Sequence, residues 1–280
     1  REQLTPRAPG DTLRIRQADG QLPGISRLRD FNGFGGFTQE GGYTVLPAAN
    51  GGTTAPWSYM VCNEHFGTLL CEQGILYSHA GNARLRRITA QHQDGVQIVP
   101  AEEYFVEENG ALASFTKAGA LGENYRATYE MGTALYEHAA RGLQLSLQCA
   151  ADEKECAGVR LLSIKNTLDT ARTIRIYAVA RFAMGEDGRG TALEASGDQL
   201  IVRGGGMPFC ALYCMPGAQA YTVSESAYAQ RRFARALKQE AGNIGVLQGE
   251  IRLLPGETKE VTVLLGCGGE KDLPRVKLMA

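Results

Sequence analysis

Gly158-Val159-Arg160-Leu161-Leu162-Ser163-Ile164-Lys165, then Asn166-Thr167-Leu168-Asp169-Thr170-Ala171-Arg172, then Thr173-Ile174-Arg175-Ile176-Tyr177-Ala178-Val179-Ala180 is the stretch that decides the fold class. In an extended chain, successive side chains point to opposite faces. Val159, Leu161 and Ser163 therefore share one side of the first piece. Ile174, Ile176, Ala178 and Ala180 share one side of the second. The polar segment between them predicts two antiparallel strands joined by a loop.

The same period extends outward. Leu143, Leu145 and Leu147 alternate with Gln144, Ser146 and Gln148, the pattern of a half-buried strand. Tyr125, Ala127, Tyr129 and Met131, followed after a glycine by Ala134 and Tyr136, continue a period-two face, and Val96–Val106 alternates loosely. Glu250–Leu254 and the run Val261, Val263, Leu265 flank Pro255-Gly256-Glu257-Thr258, which predicts a second strand pair around a type II turn. Helical spacing is confined to Ser226–Ala241, where Phe233, Ala236, Leu237 and Ala241 recur at one face and Arg231, Arg232, Arg235 and Lys238 form a solvated cationic side. The fold class read from this is mainly antiparallel β, a large sandwich.

Composition agrees and excludes several functions. Glycine numbers 35 of 280 residues, which suits many tight turns between strands. Lys and Arg total 29 against 30 Asp and Glu, so no global field draws the chain to nucleic acid or anionic lipid. The uncharged windows Gly41–Asn63 and Gly204–Ser224 each hold two prolines and read as no membrane span. Seven cysteines, an odd number at irregular spacings and without a signal sequence, favour reduced thiols and a cytoplasmic location. The chain begins at Arg1 and ends at Ala280, which reads as a fragment of a longer protein.

Chemistry-bearing motifs are scarce. Gly33-Phe34-Gly35-Gly36 is no dinucleotide fingerprint, and no phosphate-binding loop, H-E-x-x-H or G-x-S-x-G is present. No cofactor and no metal site is expected. Cys210 and Cys214 read as small buried apolar residues rather than zinc ligands. Asn63-Glu64-His65 reads as structural, and Glu102-Glu103 and Glu107-Glu108 as solvated strand edges. Trp57, the single tryptophan, offers either a sugar-stacking face or core packing.

A resemblance is carried by an ordered set of segments. These are Phe31-Asn32-Gly33-Phe34-Gly35-Gly36-Phe37, Ala55-Pro56-Trp57-Ser58, Asn63 to Glu72, Gly74-Ile75-Leu76-Tyr77-Ser78, Asn82 to Thr89, Arg160 to Thr167, and Leu254 to Val261 with Leu264-Leu265-Gly266. From about Phe31 to Gly268 the chain resembles the N-terminal domain of the inverting glycoside phosphorylases. That family comprises cellobiose, chitobiose and 1,2-β-oligoglucan phosphorylases and the phosphorylase-like part of cyclic β-1,2-glucan synthases (glycosyltransferase family thirty-six). The resemblance implies an antiparallel β-super-sandwich, galactose-mutarotase-like, with one or two short helices. It divides the chain into an extension at 1–30, the sandwich at 31–268, and at 269–280 the start of a linker to an absent (α/α)6 barrel.

In such enzymes a barrel Asp protonates the glycosidic oxygen while phosphate attacks the anomeric carbon with inversion. No catalytic residue is therefore expected in this chain; it would support the barrel, take part in a homodimer and contact a β-glucan oligosaccharide. Its sugar contacts are expected at Trp57, His79, Arg84, Glu186, Asp187 and Arg189. The last three belong to the loop Met184–Thr191, which by position corresponds to the family loop that reaches the partner's cleft, and His79 stands where the family commonly has an acidic or amide residue. Two rival readings are a free-standing carbohydrate-binding module and a small mutarotase-like enzyme with a His acid and a Glu base.

Overall fold

Alternation along the chain becomes alternation in burial: Leu143, Leu145 and Leu147 are buried, and the three polar residues between and after them are not. The computed structural model describes residues 28–47, 53–92, 98–116, 124–230, 238–241 and 243–277. The expected N-terminal extension lies almost wholly outside the described residues, as does the start of Val96–Val106.

Two antiparallel sheets stack face to face. The first has the order β1 (Gly35–Phe37), β2 (Tyr43–Val45), β8 (Tyr125–Glu130), β9 (Thr133–Ala140), β10 (Leu143–Ala151), β11 (Ala157–Asn166), β19 (Thr258–Gly268), β15 (Cys210–Cys214), β14 (Gln199–Arg203), β13 (Ala192–Ser196) and β17 (Lys238–Ala241). The second runs β16 (Ala220–Thr222), β18 (Ile244–Leu253), β12 (Arg172–Arg181), β6 (Glu102–Glu108), β5 (Gly74–Ala80), β4 (Phe66–Cys71) and β3 (Ser58–Cys62). A further strand, β7 (Ala111–Ser114), pairs with β6. The β-super-sandwich expectation is thus met.

The two expected strand pairs are not hairpins. Strand β11 pairs with β10 and β19, whereas β12 pairs with β18 and β6 in the other sheet. Likewise β18 lies in the second sheet and β19 in the first. Both loops are arches that carry the chain across the core, and they run side by side. Asn166 stitches them: its side-chain amide donates to the carbonyls of Thr170 (2.8 Å) and Leu254 (3.1 Å), its own N–H donates to Glu257 O (2.9 Å), and its carbonyl accepts from Gly256 N (3.1 Å). The expected type II turn is there, with Gly256 at φ 72° and Glu257 N donating to Leu254 O. In β11 the core-facing residues are Arg160, Leu162 and Ile164; Val159, Leu161 and Ser163 occupy the half-buried outer side.

Met131 is fully exposed in the β8–β9 turn, not on the buried face that Tyr125, Ala127 and Tyr129 share with Ala134 and Tyr136 across the turn. The helix expected over Ser226–Ala241 is also shorter. Helix α1 (Glu225–Ala229), capped by Ser224, ends early, and Lys238–Ala241 is the strand β17, hydrogen-bonded to the edge of β13. Unpaired backbone groups at a sheet edge outweigh a modest helical preference there. Arg231, Arg232, Phe233, Arg235, Ala236 and Leu237 lie outside the described residues.

Outside the sandwich, α2 (Leu273–Lys277) buries Leu273 and Val276 against Cys210, Leu212, Cys214 and Leu264. The two cysteines are therefore small apolar packing residues. Gly266 leaves the space that Val276 fills, since a Cβ there would stand 2.1 Å from its Cγ1.

At the centre of the core sits an ion pair that joins the sheets. Arg160 of β11 donates from Nε (2.9 Å) and Nη2 (2.8 Å) to the two carboxylate oxygens of Glu102 in β6. Both are essentially inaccessible, at 1% and 0% exposure. Thr68 and Ser78 accept from Nη2 at 3.1 Å, and Tyr104 OH and Ser78 Oγ donate to the carboxylate at 2.7 and 3.0 Å. Glu102 is consequently no solvated edge. Its neighbour Glu103 points the other way and meets Arg181, and Glu108 meets Arg172. Both carboxylate oxygens and the Arg160 Nε and Nη2 atoms have partners, which helps a charged pair to be tolerated in a low-dielectric core.

Candidate functional site

Tyr43 opens β2, Trp57 precedes β3, Tyr59 lies within β3 and Tyr129 within β8. Strand β3 is the edge of one sheet and β1–β2 the edge of the other, so these four rings meet where the sandwich is open. They line a groove of about 520 Å³ together with Gly41, Ser58, Glu130 and Met131. Tyr59 stacks on Tyr129 at 5.1 Å between centroids and 13° between planes, and Tyr43 lies 6.0 Å from Trp57. Phe34 adds an edge contact to the indole at 6.0 Å.

Hydrogen bonds hold the rings in place. Tyr129 OH donates to Trp57 O (3.0 Å), and Tyr59 OH donates to Glu130 O (2.5 Å). The buried Glu72 accepts from Trp57 N (2.8 Å) and from Thr53 Oγ1 (2.6 Å), and its carbonyl accepts from Tyr125 OH (2.7 Å). Burial, with the charge of Glu72 adding to it, pushes the Tyr129 hydroxyl far above its ordinary pKa, so it remains a proton donor. Fixed aromatic faces beside a few polar groups suit a ligand with an apolar face and a hydroxyl-bearing rim. The groove lining contains one carboxylate, Glu130, and no histidine.

The other expected contacts lie elsewhere. Ser58 pairs with Cys71 and Gly67 with His79, so Trp57 and His79 stand at opposite ends of the six-residue strand β4, roughly 17 Å apart along it. At the His79 end, Arg84 pairs with Glu186 (2.7 Å), and Arg189 with Asp187 (3.2 Å), all four well exposed. Gly185 N donates to Arg87 O, tying the Met184–Thr191 loop to the segment that carries Arg84. The structure thus brings Arg84 and Glu186 together and leaves Trp57 apart from them.

The His79 ring lies over Gly67, where a Cβ would be 2.5 Å from its Nε2. Its buried Nδ1 finds no hydrogen-bond partner, and burial lowers its pKa. His138 is buried, its pKa lowered by burial despite the opposing Ser114 carbonyl 2.6 Å from Nδ1. Among the described residues no group of three or more His, Cys, Asp or Glu side chains could hold a metal ion. None of their helices is long and apolar enough to cross a membrane.

Sequence reasoning found Trp57 and missed Tyr43, Tyr59 and Tyr129. Tyr129 had a signal, since it lies in the period-two run of β8. Its convergence with β3, some seventy residues earlier, had none.

Comparison with known proteins supplies the lineage. The family model described as glycosyl hydrolase 94, supersandwich domain, matches residues 42–202. The cyclic β-(1,2)-glucan synthase NdvB of Rhizobium meliloti (strain 1021) is 29% identical over 187 residues, which are 64% of this chain and 7% of that protein. The chain therefore spans a small part of the curated relative it matches. Among solved structures, a bacterial glucoamylase complexed with acarbose has a TM-score of 0.52 at 10% identity, covering 84% of this chain and 36% of that one. The GalM/aldose epimerase homologue from C. elegans has a TM-score of 0.51 at 6% identity, covering 77% of this chain and 99% of that one. At such low identity these two speak for the fold, which is galactose-mutarotase-like. With the family model matched over more than half its length, the chain belongs to the glycosyl hydrolase 94 supersandwich domain family.

Proposed function

We propose that this chain is the non-catalytic β-super-sandwich domain of an enzyme that acts on β-glucans by phosphorolysis or glycosyl transfer. In this reading it backs an (α/α)6 barrel that holds the catalytic Asp, and its aromatic groove holds a β-glucan chain. The family match supports the domain assignment, and the observation that carries the glucan contact is the convergence of Trp57, Tyr43, Tyr59 and Tyr129 on one open edge. Stacking of a pyranose C–H face on rings needs no acid or base, and the groove offers no acid–base pair. The Met184–Thr191 loop, with its exposed charges, is the element we assign to contact with a second copy in a homodimer. The likeness to a cyclic β-(1,2)-glucan synthase supports β-1,2-linked glucan as the ligand. The odd number of cysteines, at irregular spacings, supports a reducing compartment, and we place the protein in the cytoplasm.

Titration of β-1,2-gluco-oligosaccharides onto the chain, read by calorimetry and by the fluorescence of the single tryptophan, tests this. Binding should perturb Trp57 emission, and Trp57→Ala and Tyr59→Ala should each weaken binding about tenfold, the worth of one stacked ring. Undiminished binding in both variants would remove the groove from the proposal. Turnover of glucan by the chain alone would overturn its non-catalytic assignment.

A further inference from the structure

Strand register sets two thiols face to face. Ala157 is opposite Gly266, and one step further along the ladder Cys267 N donates to Cys156 O at 2.8 Å. Directly opposed residues of a hydrogen-bonded antiparallel pair have Cα atoms about 5.5 Å apart, inside the ~4.4–6.8 Å span that a disulfide bridges. Both side chains lie on the core side: Cys267 belongs to the main core cluster and Cys156 packs against it half-buried.

We propose that Cys156 and Cys267 form a dithiol that hydroperoxides oxidise to an intrachain disulfide, a modification site on the seam between β11 and β19. Cys156 is the attacking sulfur because it is the more accessible of the two. The neighbouring Cys267 thiol, with help from the Arg86 guanidinium, holds it below its ordinary pKa against burial and Glu155, while Cys267 is pushed up. When protonated, Cys156 donates to His65 O at 3.1 Å. The Cys156 thiolate attacks one oxygen of hydrogen peroxide, the O–O bond breaks and hydroxide leaves, giving a sulfenic acid. The Cys267 sulfur then attacks that sulfur, the S–O bond breaks, and the hydroxyl leaves as water with the Cys267 proton. In sum, two thiols and one hydrogen peroxide give one disulfide and two waters.

Cys210 and Cys214 lie four residues apart on one strand, roughly 13 Å, beyond disulfide reach. Cys149 is buried, its thiol pushed up to about 12 by burial. Cys62 is exposed and serves as an internal reference.

The full chain, treated with hydrogen peroxide and mapped by peptide mass spectrometry, should lose two of its seven thiols first and yield a Cys156–Cys267 cross-linked peptide that dithiothreitol reverses. Cys267→Ser should trap the Cys156 sulfenic acid as its dimedone adduct, and Cys156→Ser should leave Cys267 reduced at the same dose. Oxidation of Cys62 ahead of Cys156, or loss of the Cys156 thiol in the wild-type chain without the cross-link, would overturn the proposal.

Discussion

Glu102→Gln removes one charge from the centre of the sandwich and leaves its shape nearly intact. The Arg160 guanidinium, 1% exposed, would then face an amide in place of a carboxylate. Burial alone works against the charged guanidinium; Glu102 and its neighbours more than offset this and hold the Arg160 pKa above its ordinary value. Breaking a buried pair by removing one partner costs about 3–5 kcal/mol, mostly the uncompensated charge left behind. Against a total stability of about 5–15 kcal/mol that is a large fraction. Unfolding entropy for a chain of this length is about 0.6 kcal/mol/K, so Tm should fall by about 5–9 °C. Urea unfolding followed by circular dichroism should show the midpoint moving with the m-value unchanged. Arg160→Met should cost about as much, and the double variant Glu102→Gln/Arg160→Met should cost at least about 2 kcal/mol less than the sum of the singles, because neither charge is stranded. A Glu102→Gln loss under about 1 kcal/mol, or strict additivity, would refute the claim that this pair is desolvated and coupled.

Gly158 lies beneath the same pair: a Cβ there would stand 2.1 Å from Arg160 Nη1 and 2.4 Å from a Phe66 ring carbon, so Gly158→Ala should lose about 1–3 kcal/mol in the same urea assay. Asn166→Ala removes the side-chain bonds that join the two arches and should cost about 2 kcal/mol, with faster hydrogen exchange at Leu168, whose N–H donates to Asn166 Oδ1. His79 and His138 have pKa values below 6.5 when folded, so the unfolded chain binds more protons there. Stability should therefore be full above about pH 6.5 and fall as pH drops below it, and the double variant His79→Gln/His138→Gln should flatten that slope between about pH 7 and pH 5. The carboxyl of Glu108, held low by Arg172, adds a further acid loss below its ordinary value of 4.5, which Glu108→Gln should remove.

Strands were legible because each buries one face, and a buried face writes its period into the sequence. Leu143, Leu145 and Leu147 needed nothing more than that. Hairpin and arch, however, share one local pattern: two alternating runs around a polar or Pro-Gly turn. What separates β11–β12 from a hairpin is whether Ile164 and Ile174 lie beside each other or across the core, and that depends on β19, almost a hundred residues on. Glu102 was misread for a related reason, since its partner Arg160 is 58 residues away and adjacent glutamates on a strand look like any solvated pair. The end of the Ser226–Ala241 helix was decided by the open edge of β13, which no local window contains. For the candidate groove, Trp57 could be singled out as a lone indole among glycines and prolines, but its companions could not.

The sequence by itself determined that this chain is β-rich, nearly neutral and similar to one family of super-sandwich domains, because composition, period and ordered family segments are local properties. Tertiary structure alone decided which strands share a sheet, which glutamate is buried against an arginine, which tyrosines join Trp57 and which two cysteines oppose each other. Those are meetings between residues distant in the chain, made only when two layers close over a common core.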